Sequence, residues 1–273
     1  MTNLLSLMSL PIKVYSGTCK VYYGTGFLYY FKGNLWLVSN WHLFTNRSPL
    51  QPDIVQRGGV PTHISFFLRF FDSQGTFRRW ECEMKLIDGE RSCWIQHRYG
   101  PPYDVAAIRI PDISVPLPAF PRNGAHEGYN FVSNLHWGVA SECFVVGFPQ
   151  VKGNKNNLPV WKRATVATEP GETYDSLPVF LVDTLSSGGM SGSPVILYHT
   201  GPYVDQSGAT VLKRTIGQSG PTRTVQFIGI YSGRYTENDD LAPQFGKVWH
   251  VEVIEEMLSD SAPGFYAIEQ KTE

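Results

Sequence analysis

The chain has 273 residues, enough to bury a sizeable core in one large all-β unit or in two domains. Hydrophobic residues make up 42% and charged residues 17%, which excludes a disordered chain. A net charge of −1 at neutral pH leaves no broad field for nucleic acid or an acidic membrane.

The N-terminal MTNLLSLMSL is apolar but lacks a basic leading region and a small-x-small cleavage site, so it reads as a poor signal peptide. From Lys13 to Val38, Gly17, Gly24, Gly26 and Gly33 interrupt β-branched and aromatic stretches, which predicts strands and hairpins with a turn at KGN. A second hairpin is predicted over HISFFLRFFDSQGTFRRWECEMKLI, turning at Ser73 to Gly75, and DVAAIRI from Asp104 to Ile110 reads as a further strand. The four prolines of PDISVPLPAFPRNG mark a connector between two halves. Beyond it ECFVVGFP, LPVFLVDTL, SPVILYH, TVQFIGIYSG and GKVWHV read as strands, and HVEVIEEMLSD has helical spacing. This divides the chain into an N-terminal β unit (1–112), a connector (113–135), a C-terminal β unit with a terminal helix (136–260) and a tail (261–273). No run approaches the length of a membrane span.

Cys19, Cys82, Cys93 and Cys143 form no CxxC pair and no zinc-ligand spacing, so buried free thiols in a reducing cytoplasm are expected, with no metal and no cofactor.

The chemistry concentrates in SSGGMSGSPV, residues 186–195. Glycines beside Ser191 permit backbone conformations closed to other residues and leave its hydroxyl uncrowded. The N–H groups of Gly189 and Ser191 could then point at one spot and stabilise an oxyanion. A serine nucleophile needs a base, and seven histidines are on offer: His42, His63, His97, His126, His136, His199 and His250. His42 stands out because it follows the apolar strand LWLVSNW. An acid to hold its tautomer is available in Asp104, at the head of DVAAIRI. Each of these residues taken singly also has a bland reading as a turn or core residue.

Together they resemble the trypsin-like serine peptidases. GTGFLYYFKGNLWLVSNWHLF resembles that family's Gly-x-Gly-Phe strand and the strand that delivers its histidine, with Ser-Asn-Trp-His in place of the usual small residues. YDVAAIRI resembles its Asp segment, CFVVGFP a strand of its second barrel and VDTLSSGGMSGSPV its nucleophile loop. FIGIYSG and FGKVWHVEVIEEML resemble the pocket walls and closing helix. The order His, Asp, Ser is that of this family and not of subtilisins or α/β-hydrolases. The resemblance implies two antiparallel six-stranded β-barrels, all-β apart from a C-terminal helix, with the site between them. It implies His42 as base, Asp104 as acid, Ser191 as nucleophile and Gly189 with Ser191 as the oxyanion hole. By position, the pocket would be lined by Leu185 at its base, by Ser232, Gly233 and Arg234, and by Gly246 and Lys247, which disfavours cleavage after Lys or Arg.

Departures from the pattern carry further expectations. Met190 replaces the acid that receives a newly cut N-terminus in secreted members, so that activation switch is expected to be missing. Asp183 is expected to be structural. About fifteen residues follow Leu258, too few for the peptide-binding module of bacterial quality-control relatives. The implied protein is a stand-alone prokaryote-style serine endopeptidase in a stress or defence system, with a polypeptide substrate, a regulatory protein partner, no nucleic acid and no membrane. Two other readings compete: an α/β-hydrolase using Ser191, Asp239 or Asp240, and His250, and a catalytically silent peptidase fold kept as a binding or scaffolding module.

Overall fold

A computed structural model describes residues 3–111, 113, 117–120, 124–126, 128–149, 158–185, 187–212, 222–234 and 245–265. The apolar N-terminal run forms a short helix, α1 (Leu4–Met8), opened by the Asn3 side chain, which accepts from Leu5 N at 3.0 Å. All five of its residues are buried, so the run belongs to the core.

The first sheet uses β1 (Ser9–Ser16), β2 (Cys19–Phe31), β3 (Asn34–Ser39), β4 (His63–Phe71), β5 (Phe77–Lys85), β6 (Ile95–His97) and β7 (Ala106–Arg109). The KGN turn joins β2 to β3 by the two-residue loop Lys32–Gly33, both at positive φ (46° and 81°), whose twist matches that of the flanking strands. The 63–87 hairpin forms as read, with Phe71 opposite Phe77. A short helix, α2 (Trp41–Thr45), follows β3 and carries His42.

The second sheet uses β8 (Gly124–His126), β9 (Tyr129–Phe131), β10 (Glu142–Gly147), β11 (Val160–Val166), β12 (Val179–Asp183), β13 (Ser193–Thr200), β14 (Arg223–Arg234) and β15 (Phe245–His250). Its order is β8-β9-β14-β13-β10-β11-β12-β15, and a further pairing of β14 with β15 closes six of these strands into a barrel. The helix expected after it is α3 (Val251–Ser259), and β16 (Ser261–Pro263) then returns to the first sheet, pairing with β6. The first sheet runs β16-β6-β7-β3-β2-β1-β4-β5, with no closing pairing among the described residues.

The all-β class and a six-stranded barrel agree with the sequence reading. Two details differ. Residues 113–135 hold strands, and β9 runs parallel to β14, so the chain between the halves adds to the second sheet. The start of the expected tail is likewise sheet, since Ser261–Pro263 lies in register with Ile95–His97.

Each sheet has its own apolar cluster, and a third lies between the two. Phe27, Tyr29 and Val38 from the first sheet, Phe227, Ile230 and Trp249 from the second, and α1 and α3 all contribute to it. Its centre is aromatic, with Phe27 5.1 Å from Phe227 and 5.8 Å from Phe120 between ring centroids. Docking is therefore driven by apolar burial, to which Tyr29 Oη adds a hydrogen bond to Glu255 Oε1 at 2.8 Å.

The cysteines are free, but only Cys143 is buried; Cys82 is half-buried, and Cys19 and Cys93 are exposed. The expectation of buried thiols thus holds for one residue of the four. Among the described residues no helix is long and apolar enough to cross a membrane.

His97 ties β6 to α3. Its ring is fully buried and stacked on Tyr103 at 4.1 Å, with Nε2 3.5 Å from Glu256 Oε2. Burial lowers its pKa below the usual 6.5, and the Glu256 charge opposes this only in part. A histidine whose folded pKa is depressed binds fewer protons than the unfolded chain, so its contribution to stability is present above about pH 6.5 and is lost as pH falls. His250 is shifted the same way by burial. Unfolding free energy should therefore fall between about pH 7.5 and 5.5, and His97→Phe, which keeps the stack on Tyr103, should flatten the slope. Chemical denaturation across that range checks this; an unchanged slope contradicts it.

Candidate active site

Asp104 sits just before β7 with its side chain only 5% exposed. Three donors hold its carboxylate: the His42 backbone N–H to Oδ1 at 2.9 Å, His42 Nδ1 to Oδ2 at 2.8 Å, and the Ser232 hydroxyl to Oδ2. A buried carboxylate is costly unless its lone pairs are met, and here both oxygens accept.

His42 is held on several sides. Asn40, at the N-cap of α2, donates from Nδ2 to the Asp104 carbonyl at 2.8 Å, and Trp41 Nε1 donates to Gln96 Oε1 at 2.7 Å. Asn46 closes the helix in the left-handed conformation with its N–H on the His42 carbonyl, and Tyr22 Oη donates to the carbonyl of Leu43 at 2.6 Å. The bulky Ser-Asn-Trp that replaces small residues is thus tied into the first sheet through Ser39 Oγ, Asn40 Nδ2 and Trp41 Nε1, while Asn40 Oδ1 is buried without a partner among the described residues.

The Ser191 turn is held from the opposite sheet by Thr25 of β2. Thr25 N donates to the Ser191 carbonyl at 2.9 Å, and its hydroxyl donates to the Gly189 carbonyl at 2.8 Å while accepting from Phe148 N at 3.0 Å. Ser39 Oγ completes the latch by donating to the Thr25 carbonyl at 2.7 Å. Met190 is buried in the core of the second sheet's barrel, so an apolar side chain anchors the turn where an acid would need a counter-charge. Gly189 has φ +93°, a conformation that favours glycine. Among the described residues neither the Gly189 nor the Ser191 N–H has a hydrogen-bond acceptor.

Ser232 and Gly233 link the two sets. Ser232 bonds Asp104, and a Cβ added at the next residue would lie 3.3 Å from Ser191 Oγ. The His42–Asp104 pair and the Ser191 turn therefore both lie beside Ser232 and Gly233 at the junction of the two sheets, and among the described residues Ser191 Oγ makes no hydrogen bond to the His42 ring. Such a set can deprotonate a hydroxyl, hold the resulting imidazolium against a carboxylate and offer two N–H groups to a developing oxyanion.

The expected pocket residues are only partly gathered. Ser232, Gly233 and Arg234 end β14, and Arg234 pairs with Gly246, next to Lys247. Leu185 is 66% exposed, so it forms no buried floor. Asp183 is exposed and keeps its backbone in the sheet, paired with Thr165 and Phe245. Sequence reasoning placed Ser232 in a pocket wall and missed its bond to Asp104; it missed the Thr25 latch altogether. A hint lay in Gly24-Thr25-Gly26, where glycines flank a polar residue inside an apolar strand. The α/β-hydrolase alternative fails because the chain after Ser191 enters strand β13 where a helix is required, and His250 packs on Phe180 at 4.8 Å. Asp239 and Asp240 lie outside the described residues.

A family model described as a trypsin-like peptidase domain matches residues 24–204, a span that contains His42, Asp104 and Ser191. No curated protein matches the sequence. Among solved structures, HL collagenase is similar with a TM-score of 0.50 at 12% identity, over 95% of this chain and 96% of its own. The protease Anisep from Arthrobacter nicotinovorans gives 0.46 at 11% identity, over 89% of each chain. A serine endoprotease from Yersinia pestis gives 0.46 at 11% identity, over 95% of this chain and 66% of that one.

Gly192 is the tightest point of the latch: a Cβ there would fall 1.9 Å from the Thr25 carbonyl oxygen and 2.5 Å from Ser39 Oγ, at φ +84°. Gly192→Ala should cost about 2–4 kcal/mol from overpacking and strain together. Denaturant unfolding against wild type measures it, and a loss below about 0.5 kcal/mol would contradict the close approach.

Proposed function

The chain belongs to the trypsin-like peptidase family, and on that footing we propose that it cleaves peptide bonds by way of an acyl-enzyme, with Ser191 as nucleophile, His42 as general base and then acid, and Asp104 as the acid that holds the imidazole. The observation that carries this reading is the Asp104 carboxylate, bonded at once to the His42 backbone, the His42 ring and Ser232. With its Nδ1 proton committed to Asp104, His42 keeps Nε2 as the basic nitrogen, which suits removal of a hydroxyl proton. The resulting alkoxide attacks the substrate carbonyl, and the charge that develops on oxygen is met by the N–H groups of Gly189 and Ser191. His42 then protonates the leaving amine, and water repeats the cycle on the acyl-serine. Ser232 is a positioning residue, acting on the reaction through Asp104.

The substrate is a polypeptide. The resemblance alone supports the further reading that the enzyme is the protease component of a prokaryotic stress or defence system switched by a protein partner. Four free cysteines support a reducing, cytoplasmic setting.

A fluorophosphonate probe should label wild type, with the label lost in Ser191→Ala. A well-folded wild type that never labels would favour the silent binding module. Because the three residues act as a unit, Ser191→Ala/His42→Ala should be scarcely slower than the worse single variant, and Asp104→Asn should lower kcat by about 10³–10⁴. Independent, multiplying losses in kcat/KM would count against the assignment.

A further inference from the structure

The turn that carries the Gly189 and Ser191 N–H groups has its carbonyls tied down by two fully buried residues, Thr25 on β2 and Ser193 at the start of β13. Thr25 Oγ1 donates to the Gly189 carbonyl at 2.8 Å, and the Thr25 backbone N–H donates to the Ser191 carbonyl at 2.9 Å. Ser193 donates to the Met190 carbonyl twice, from its hydroxyl and, at 3.1 Å, from its backbone N–H. The carbonyls of Gly189, Met190 and Ser191 are therefore all held, while the Gly189 and Ser191 N–H groups have no acceptor among the described residues.

Peptide planarity turns these bonds into an aim. The Met190 carbonyl and the Ser191 N–H share one trans peptide plane and point in opposite directions, so holding the carbonyl on Ser193 points the N–H away from that buried residue. Gly189, at φ +93°, has no Cβ to limit its rotation, and the Thr25 hydroxyl fixes the peptide plane that follows it. The Thr25 hydroxyl is itself oriented. It accepts from Phe148 N at 3.0 Å, which leaves its single proton for Gly189, and a β-branched side chain is stiff at χ1. The strand that supplies Phe148 N is pinned two residues earlier, where Ser9 Oγ donates to the Val146 carbonyl at 2.7 Å. Between them Gly147 leaves room for both hydroxyls: a Cβ there would lie 1.9 Å from Ser193 Oγ and 3.1 Å from Thr25 Oγ1.

We propose that Thr25 and Ser193 are positioning residues of the reaction, whose hydroxyls hold the Gly189 and Ser191 N–H groups at the geometry the oxyanion requires. This rests on the serine endopeptidase reading and adds to it what presets the oxyanion hole. Donors aimed at charge that develops only in the transition state act on turnover and not on substrate binding, and a misplacement of about 1 Å can cost about a hundredfold.

Thr25→Val keeps the branched shape and the N–H to Ser191 and removes the hydroxyl; Ser193→Ala keeps the backbone bond to Met190. On a peptide substrate each should lower kcat by about ten- to a hundredfold with KM within about twofold of wild type. The pH at which activity develops should not move, because His42 and Asp104 are untouched. Thr25→Ser, which restores the hydroxyl, should return to within about threefold of wild type. A folded Thr25→Val or Ser193→Ala with wild-type kcat, a loss confined to KM, or an equal loss in Thr25→Ser would overturn the proposal and leave the peptidase reading intact. Ser193→Ala keeps the test decisive if Thr25→Val fails to fold. NMR relaxation of the Gly189 and Ser191 amides adds a readout independent of turnover: both should be ordered in wild type and mobile in either variant. Equal order in wild type and variants would overturn the brace even where activity falls. An inert wild type whose two amides are ordered, and lose that order in Thr25→Val, would leave the brace standing and overturn the peptidase reading.

Discussion

The buried carboxylate of Asp104 is the constraint around which the site is organised. An ionised carboxylate withdrawn from water without partners costs several kcal/mol. Here the donors that meet it come from both sheets, the His42 ring and backbone from α2 of the first and the Ser232 hydroxyl from β14 of the second. The charge is fully satisfied only when the two sheets have docked. Apolar burial at Phe27, Phe120, Phe227 and Trp249 brings them together, and the polar cluster fixes their register. Assembly of the interface and orientation of the imidazole are therefore one event.

The same logic runs in the other direction at the nucleophile turn. Thr25 belongs to the first sheet, yet its N–H and hydroxyl hold the Ser191 and Gly189 carbonyls of the second. Each sheet thus reaches across to secure the chemical group the other carries. Where a charged pair could have anchored this turn, Met190 does so by packing into the core of the second sheet's barrel. That contact is insensitive to pH and salt and needs no new chain end.

Local patterns were legible in the sequence because they depend on near neighbours. The Lys32–Gly33 hairpin, the 63–87 hairpin and helix α3 follow from turn chemistry and periodicity within a few residues. His42 and Asp104 were legible because each stands at the end of an apolar strand, where a polar side chain is conspicuous. The long-range partners were not. Nothing near Ser232 shows that its hydroxyl meets a carboxylate 128 residues away, and nothing near Thr25 shows that it meets Gly189, 164 residues away. The resemblance places Leu185 at the base of the pocket by position, yet its exposure depends on how the chain leaves β12, which position in a pattern does not determine. The return of Ser261–Pro263 to the first sheet is a third such case, because its partner strand lies in the other half of the chain.

The central claim is that Asp104 holds a proton on His42 Nδ1 in a strong, shielded hydrogen bond. Proton NMR of the resting protein tests it most directly, since a ring proton shared with a buried carboxylate resonates far downfield of the amide envelope. The account predicts one such signal, lost in both His42→Ala and Asp104→Asn and retained in Ser191→Ala. Its absence from a folded protein that labels at Ser191, or its persistence in Asp104→Asn, would contradict the account.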